Sequence, residues 1–333
     1  MEMTDRPDIS VGTSIAEEQR KLPIFGLINL NVFWISNQFH WQALQAVVIP
    51  SMVAHFLDPN HKDINLATVV FVGTLVAFVV NPLVGAVSDY ATFKMGRRRP
   101  FMIVGTILNI FVLLLFAFSP SWFSRGALLA VFALLFMLLE FSNNVANSPW
   151  SAIIADKVPV QQRGLASGFN GLFTLLGTAV GSIVAGIILG GNLSLPLYRN
   201  AVVQIFIIIA IVQTLFVAYT VLTVKEIPLP LERHIKLNIR AFFKRFFFKP
   251  SQYPDISWVL LARFFVTMGI WSVYYFLLYY FDDVLGGKGV KTVLLGSPFT
   301  GEQFNGILFQ PILLLFALIT SIFAGWASDH WGR

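Results

Sequence analysis

Long apolar stretches, each about the length of a bilayer crossing, recur along the chain with short polar breaks between them. A search for about 20 consecutive residues free of Asp, Glu, Lys and Arg gives eight segments, at roughly 22–57, 65–88, 101–122, 126–155, 164–190, 201–223, 254–281 and 303–328. Ionisable residues interrupt two of them, Glu140 in the fourth and Arg263 in the seventh. Apolar–polar alternation is absent, so the segments read as helices and not as barrel strands. The first and fourth exceed what a bilayer needs and are expected to tilt or kink, with Pro50 and Pro149 as the kinking residues.

Composition agrees. Of 333 residues 56% are apolar and only 12% charged, where a soluble domain carries about 25% charge. Such a chain belongs in a membrane. There is no cysteine, which excludes disulfides, thiolate metal sites and a cysteine nucleophile. Residues 1–21 are polar and lack the apolar core of a cleaved signal peptide. Charge sets the orientation. With the N-terminus inside, inner segments hold seventeen Lys and Arg and outer segments five. That bias predicts a cytoplasmic N-terminus in the plasma (inner) membrane. The net charge of +6 is then a property of basic loops beside the bilayer, so no nucleic acid is expected. No enzyme motif and no metal-ligand or cofactor-binding pattern occurs.

Four regions follow: a cytoplasmic tail (1–21), a six-helix half (22–223), a basic linker (224–253) and the start of a second half (254–333). In the linker, Ile235, Ile239, Phe242, Phe243, Phe246 and Phe247 recur at helical spacing between Lys and Arg. An amphipathic helix lying on the membrane surface is expected there. Gly177 and Gly181 form a small-residue pair in span five, which predicts close helix contact. Two segments repeat. Gly85-Ala86-Val87-Ser88-Asp89 follows span two and leads to Gly96-Arg97-Arg98-Arg99; Gly325-Trp326-Ala327-Ser328-Asp329 follows span eight and leads to Gly332-Arg333. A repeat of this kind marks transporters built from two related halves. It implies a six-plus-six plan, so the chain looks truncated after two helices of the second half, and poor activity is expected of the isolated 333 residues.

The Gly-x-x-Ser-Asp and Gly-Arg-Arg-Arg elements between spans two and three resemble the signature of the major facilitator superfamily. The run from Asn81 to Asp89, continued by Phe93 to Phe101, is similar to the proton-coupled sucrose and glycoside symporters. So are Leu139-Glu140-Phe141-Ser142-Asn143-Asn144 with Ser148-Pro149 and Ala155-Asp156, and Gln38-Phe39-His40-Trp41 with Pro50. Departures are Glu140 where that group has aspartate, Ser148 where it has glycine, and Tyr90 and His330 where the superfamily often has arginine. The resemblance implies an all-α polytopic fold of the superfamily type, comprising the first six-helix half plus about two helices. It further implies a secondary active transporter that moves a sugar or glycoside, a disaccharide such as sucrose or maltose, with a proton by alternating access. The expected partners are the sugar, the proton and the bilayer, and a monomer is expected.

Glu140 stands near the middle of its span, where an ionised carboxylate costs several kcal/mol unless paired, protonated or wetted. It is the candidate proton carrier, and the resemblance implies the same role. Asn143 and Asn144 offer amides suited to sugar hydroxyls or to interhelical contact. Trp41 and Trp271 could stack on a sugar ring or simply pack. The resemblance further places His40, Gln38 and Arg263 on a central cavity with Glu140. It also implies an inner gate made by Gly85, Asp89, Arg97, Arg98, Arg99, Asp156 and Arg163, with Gly325 and Asp329 of the second copy. A sodium-coupled sugar carrier, an exporter of another solute, and a non-transporting sensor or scaffold remain open.

Overall fold

The computed structural model describes residues 21–191, 193–226, 254–286, 293–294, 297–298 and 300–331, without the side chains of 285–286, 293–294, 297–298 and 321–331. Among them the chain is helical apart from β1 (Val293–Leu294) paired antiparallel with β2 (Ser297–Pro298). Among the described residues seven helices are long and apolar enough to cross a membrane: Pro59–Asp89, Arg99–Trp122, Arg125–Lys157, Val160–Leu189, Leu195–Thr223, Pro254–Tyr274 and Gly301–Thr320. They are spans two to eight. The linker helix expected within 224–253 lies outside the described residues beyond Glu226.

Span one is assembled from pieces: Ile24–Asn31, Phe33–Ala43, a wider π turn Leu44–Val48, and Ile49–Phe56. Pro50 explains the irregular turn, because it has no N–H to return to the Ala46 carbonyl four residues back. Asn305 of span eight supplies the missing donor, its Nδ2 lying 2.7 Å from that carbonyl. Pro149 sits two residues before the end of Arg125–Ser151, and a separate short helix, Ile153–Lys157, follows.

Two buried apolar clusters hold the six-helix half. One joins Met52, Leu66, Phe116, Phe132, Phe136 and Phe206. The other, towards the end that carries the Arg97–Arg99 loop (the basic end), joins Leu27, Phe33, Met102, Trp150 and Val217. Trp150 Nε1 also donates to the Leu30 carbonyl at 3.2 Å, tying span four to span one. Span five lies directly on span one through the expected glycine pair. A Cβ on Gly177 would sit 2.3 Å from the Ile35 carbonyl oxygen, and one on Gly181 2.6 Å from that of Phe39.

Span seven behaves differently along its length. Residues 254–273 are not buried, whereas Leu278 and Tyr279 pack inside the bundle. Spans seven and eight therefore meet the first half at the end opposite the Arg97–Arg99 loop.

The backbone-to-backbone approach at Gly181 leaves no room for a side chain. Gly181→Leu is expected to lower stability by about 1–3 kcal/mol, the usual cost of overpacking. Gly164→Ala, at a position with open space, should leave the melting midpoint in detergent unchanged; equal midpoints for both variants would contradict the packing.

Candidate functional site

A polar cluster sits inside the bundle where spans one, four and seven approach. Glu140 lies in the middle of Arg125–Ser151 and is 7% exposed. Asn144, one turn on, donates its Nδ2 to the Glu140 backbone carbonyl at 2.8 Å and to Oε2 at 3.2 Å. No cation pairs with Glu140 among the described residues. Gly73 of span two makes room for it, since a Cβ there would meet the Phe136 ring at 2.2 Å and Glu140 Cγ at 3.4 Å. Asn143 turns towards span one and accepts from Trp41 Nε1 at 3.0 Å. The Trp41 ring meets Phe136 edge-on, with centroids 6.3 Å apart.

Span seven contributes where its helix breaks. Pro254–Tyr274 ends, Tyr275 and Phe276 form a turn, and Leu277–Tyr280 resumes. Tyr274 donates to Gln42 Oε1 of span one at 2.7 Å. Tyr275 lies within electrostatic reach of Glu140. Trp271 stands against both tyrosines, with centroids at 5.1 and 5.5 Å, and is partly exposed. Irregular backbone of this kind is tolerated at membrane depth only where protein or water satisfies it.

Three of the expected cavity residues lie elsewhere. His40 is fully buried, edge-on to Trp41 at 4.9 Å, with Gln213 of span six as its polar neighbour. Gln38 is half-buried, and its Cβ comes within 3.0 Å of where a Gly177 Cβ would be, so it flanks span five. Arg263 is exposed, two turns before Trp271 and about 12 Å along the helix from it. It forms no ion pair with a described residue.

At the basic end, Arg98 is the hub. It is 2% exposed. Its guanidinium donates to the Pro149 carbonyl at 2.5 Å, to Asp156 Oδ2 at 2.6 Å and to Asp89 Oδ1 at 3.1 Å. Arg97 donates to the same Asp156 oxygen at 2.6 Å. Glu226, just past span six, accepts from the backbone N–H of Arg98 at 2.9 Å and of Arg99 at 3.1 Å. It thereby caps the first turn of Arg99–Trp122, whose N–H groups have no partner within the helix. Arg99 donates to the Val221 carbonyl. Gly96 adopts φ 100°, and a Cβ on it would fall 2.3 Å from that of Glu226. Gly85 approaches Ser148 of span four, with 3.0 Å from its would-be Cβ to Oγ. Arg163 stays local, donating to the carbonyls of Val158 at 3.2 Å and Ala155 at 3.0 Å. Asp89 finds its partner in its own half. Gly325 and Asp329 lie on Gln310–Trp331, with side chains outside the described residues.

Sequence reasoning missed Gln42, Tyr274, Tyr275 and Glu226, which carry no motif. It also missed Glu302, placed one residue outside the eighth apolar run; Glu302 is 4% exposed.

Comparison with known proteins agrees with the architecture. The sequence profile of the Major Facilitator Superfamily matches residues 27–333. The sucrose transport protein SUC4 of Arabidopsis thaliana is 26% identical, over 89% of this chain and 61% of its own. The general alpha-glucoside permease of Schizosaccharomyces pombe is 25% identical, over 78% of this chain and 48% of its own. Sucrose transport protein SUT5 of Oryza sativa is 30% identical over 46% of this chain and 30% of its own. The chain thus spans less than two thirds of the length of these relatives, which are transport proteins and not enzymes. The crystal structure of a D-xylose-proton symporter superposes with a TM-score of 0.62 at 16% identity, covering 92% of this chain and 69% of that one. The chain belongs to the Major Facilitator Superfamily and is a multi-pass integral membrane protein.

Arg98 satisfies three acceptors at once. Arg98→Ala is expected to destabilise by on the order of 3 kcal/mol, as when one partner of a buried ion pair is removed. Lys94→Ala, at an exposed position of the same loop, should stay within about 0.5 kcal/mol. Comparable losses in thermal denaturation would contradict Arg98's place as hub.

Proposed function

We propose that the protein is a secondary transporter that carries a sugar or glycoside, a disaccharide such as sucrose or maltose, in symport with a proton. Glu140 is the proton-exchanging group. The observation that carries this reading is a carboxyl buried in the middle of span four, with Asn144 as its side-chain donor and no cation partner among the described residues. A carboxyl in that setting must be neutral or wetted. Alternating access supplies both conditions in turn, dry in one state and hydrated in another, so the site can take a proton on one face and release it on the other.

The names of the relatives support a sugar as cargo: sucrose transport proteins, an alpha-glucoside permease and a xylose-proton symporter. In this reading Trp41 and Trp271 offer ring faces to the sugar, and Asn143 and Asn144 offer amides. His40 and Gln38 back the site from span one, where they face spans six and five. Arg263 enters it only through movement of span seven. The basic end is the cytoplasmic one, as the charge bias requires. Its Arg98-centred network, with Gly85, Asp89, Arg97, Arg99, Asp156 and Arg163, is the inner gate, which Gly325 and Asp329 complete from span eight. The protein works as a monomer in the plasma membrane.

The test is uptake of radiolabelled sucrose and maltose into vesicles holding the protein expressed from its intact gene, beside Glu140→Gln. Acid-driven uptake is expected to fall at least tenfold in the variant while counterflow exchange persists. Equal acid-driven uptake in both would remove Glu140 from coupling. Absence of uptake for every sugar would remove the cargo.

A further inference from the structure

We propose that the six-helix half holds a site for ordered water, built around His40 between spans one, three and six, at the depth of Glu140. The site stands whatever the protein carries.

Helix register brings the polar groups together. Phe116 of span three touches Phe132 of span four and Phe206 of span six, with ring centroids 5.1 and 5.5 Å apart. Seven residues make about two turns, so a helix then presents nearly the same face again. Two turns towards the basic end, these faces carry Asn109, Leu139 and Gln213. The first two meet as that register requires: Asn109 Nδ2 donates to the Leu139 carbonyl at 3.4 Å and to Ser142 Oγ at 3.0 Å. The same step sets Gln213 at the level of Asn109.

Gln213 is in turn the polar neighbour of His40, although the two lack the geometry of a hydrogen bond. Asn37 stands one turn before His40 on span one, and Thr106 one turn before Asn109 on span three. All five side chains are at least nine-tenths buried. Yet both His40 ring nitrogens, the amide oxygens of Asn37, Asn109 and Gln213, and the Thr106 hydroxyl have no hydrogen-bond partner among the described residues. Buried polar groups are satisfied by protein or by ordered water, because a bare one bears its full desolvation cost.

The balance of donors and acceptors names the ligand. A neutral imidazole has one donor and one acceptor nitrogen. The unpartnered set therefore holds four acceptors, three amide oxygens and one ring nitrogen, against two donors, the ring N–H and the Thr106 hydroxyl. Direct pairing would leave two acceptors bare. Two water molecules carry four O–H bonds and can receive both donors. Each then makes three hydrogen bonds, as buried waters commonly do. A metal cation fits poorly, because it cannot answer the N–H and O–H groups and none of the five side chains is anionic. Trp41 joins this site to the Glu140 cluster. His40 meets its ring edge-on, with centroids 4.9 Å apart, and its Nε1 donates to Asn143 at 3.0 Å. The water thus steadies the stretch of span one that presents Trp41.

Hydroxyl radicals generated by X-rays label side chains beside bound water, buried ones included, and mass spectrometry locates the label. In the whole protein in lipid nanodiscs, His40 should be labelled several-fold faster than Phe132 and Phe206 after allowance for intrinsic reactivity. Both phenylalanines are equally buried, among apolar groups. Gln213→Met and Thr106→Val separate a wet site from a dry one by sign. In a wet site each removes a partner of the water, so His40 labelling and the melting midpoint both fall. In a dry core each removes a bare polar group, so the midpoint rises. His40 labelled no faster than the two phenylalanines, or midpoints that rise in both variants, would overturn the proposal. So would a parent midpoint that is higher in sodium chloride than in equal choline chloride and loses the difference in Gln213→Met, because the occupant would then be a cation.

Discussion

No bulk water reaches a helix inside a bilayer, so any carbonyl or carboxyl left without a partner there costs several kcal/mol. Two such groups organise this molecule. Pro50 frees the Ala46 carbonyl, and Asn305 of span eight fills the vacancy. Glu140 is a bare carboxyl in span four, and Asn144 answers it from one turn away. The first ties span eight to one end of the six-helix half. The second places a group at mid-membrane whose charge depends on how wet its surroundings are. A carrier needs both, a seam that can part and a site that notices when it does.

The helices that meet at the seam are the irregular ones. Span one has a π turn at Leu44–Val48, span seven breaks at Tyr275 and ends in a π turn at Phe281–Gly286, and span eight has one at Phe304–Phe309. Spans two to six, which pack within one half, run as long helices without π turns, span four breaking only at its basic end after Ser151. Wide turns expose carbonyls that a neighbouring side chain must reach, and they recur at functional sites. Here Asn305 and Tyr279 make that reach from one half to the other. These are contacts that movement can exchange for water, unlike the glycine-to-backbone packing of span five on span one.

Much of this was legible in the sequence. Stretches without charge located the spans, and Gly177 and Gly181 predicted a close approach that the backbone shows. The Gly-x-x-Ser-Asp and Gly-Arg-Arg-Arg elements pointed to an inner gate through their resemblance to the superfamily's; the contacts of Arg98 with Asp89 and Asp156 within one half came from the coordinates. The rest required coordinates, for physical reasons. Which of three consecutive arginines is buried depends on the turn at Gly96, not on their identity. Gln42, Tyr274 and Tyr275 are ordinary membrane residues until a break in span seven aims them at span one. Glu302 reads as a loop acid because it precedes an apolar run, yet the capping turn at Thr300 folds it inward. Arg263 reads as a buried cation, but only the part of span seven beyond residue 273 enters the described bundle.

The central claim is that Glu140 exchanges the proton that accompanies the sugar. The most direct measurement is the current evoked by a sucrose or maltose jump in vesicles on a solid-supported membrane, with no pH gradient imposed. The account predicts a sustained inward positive current for the parent protein. In Glu140→Gln it predicts none, although tryptophan fluorescence still reports sugar binding. A sustained current of equal size in Glu140→Gln would contradict it.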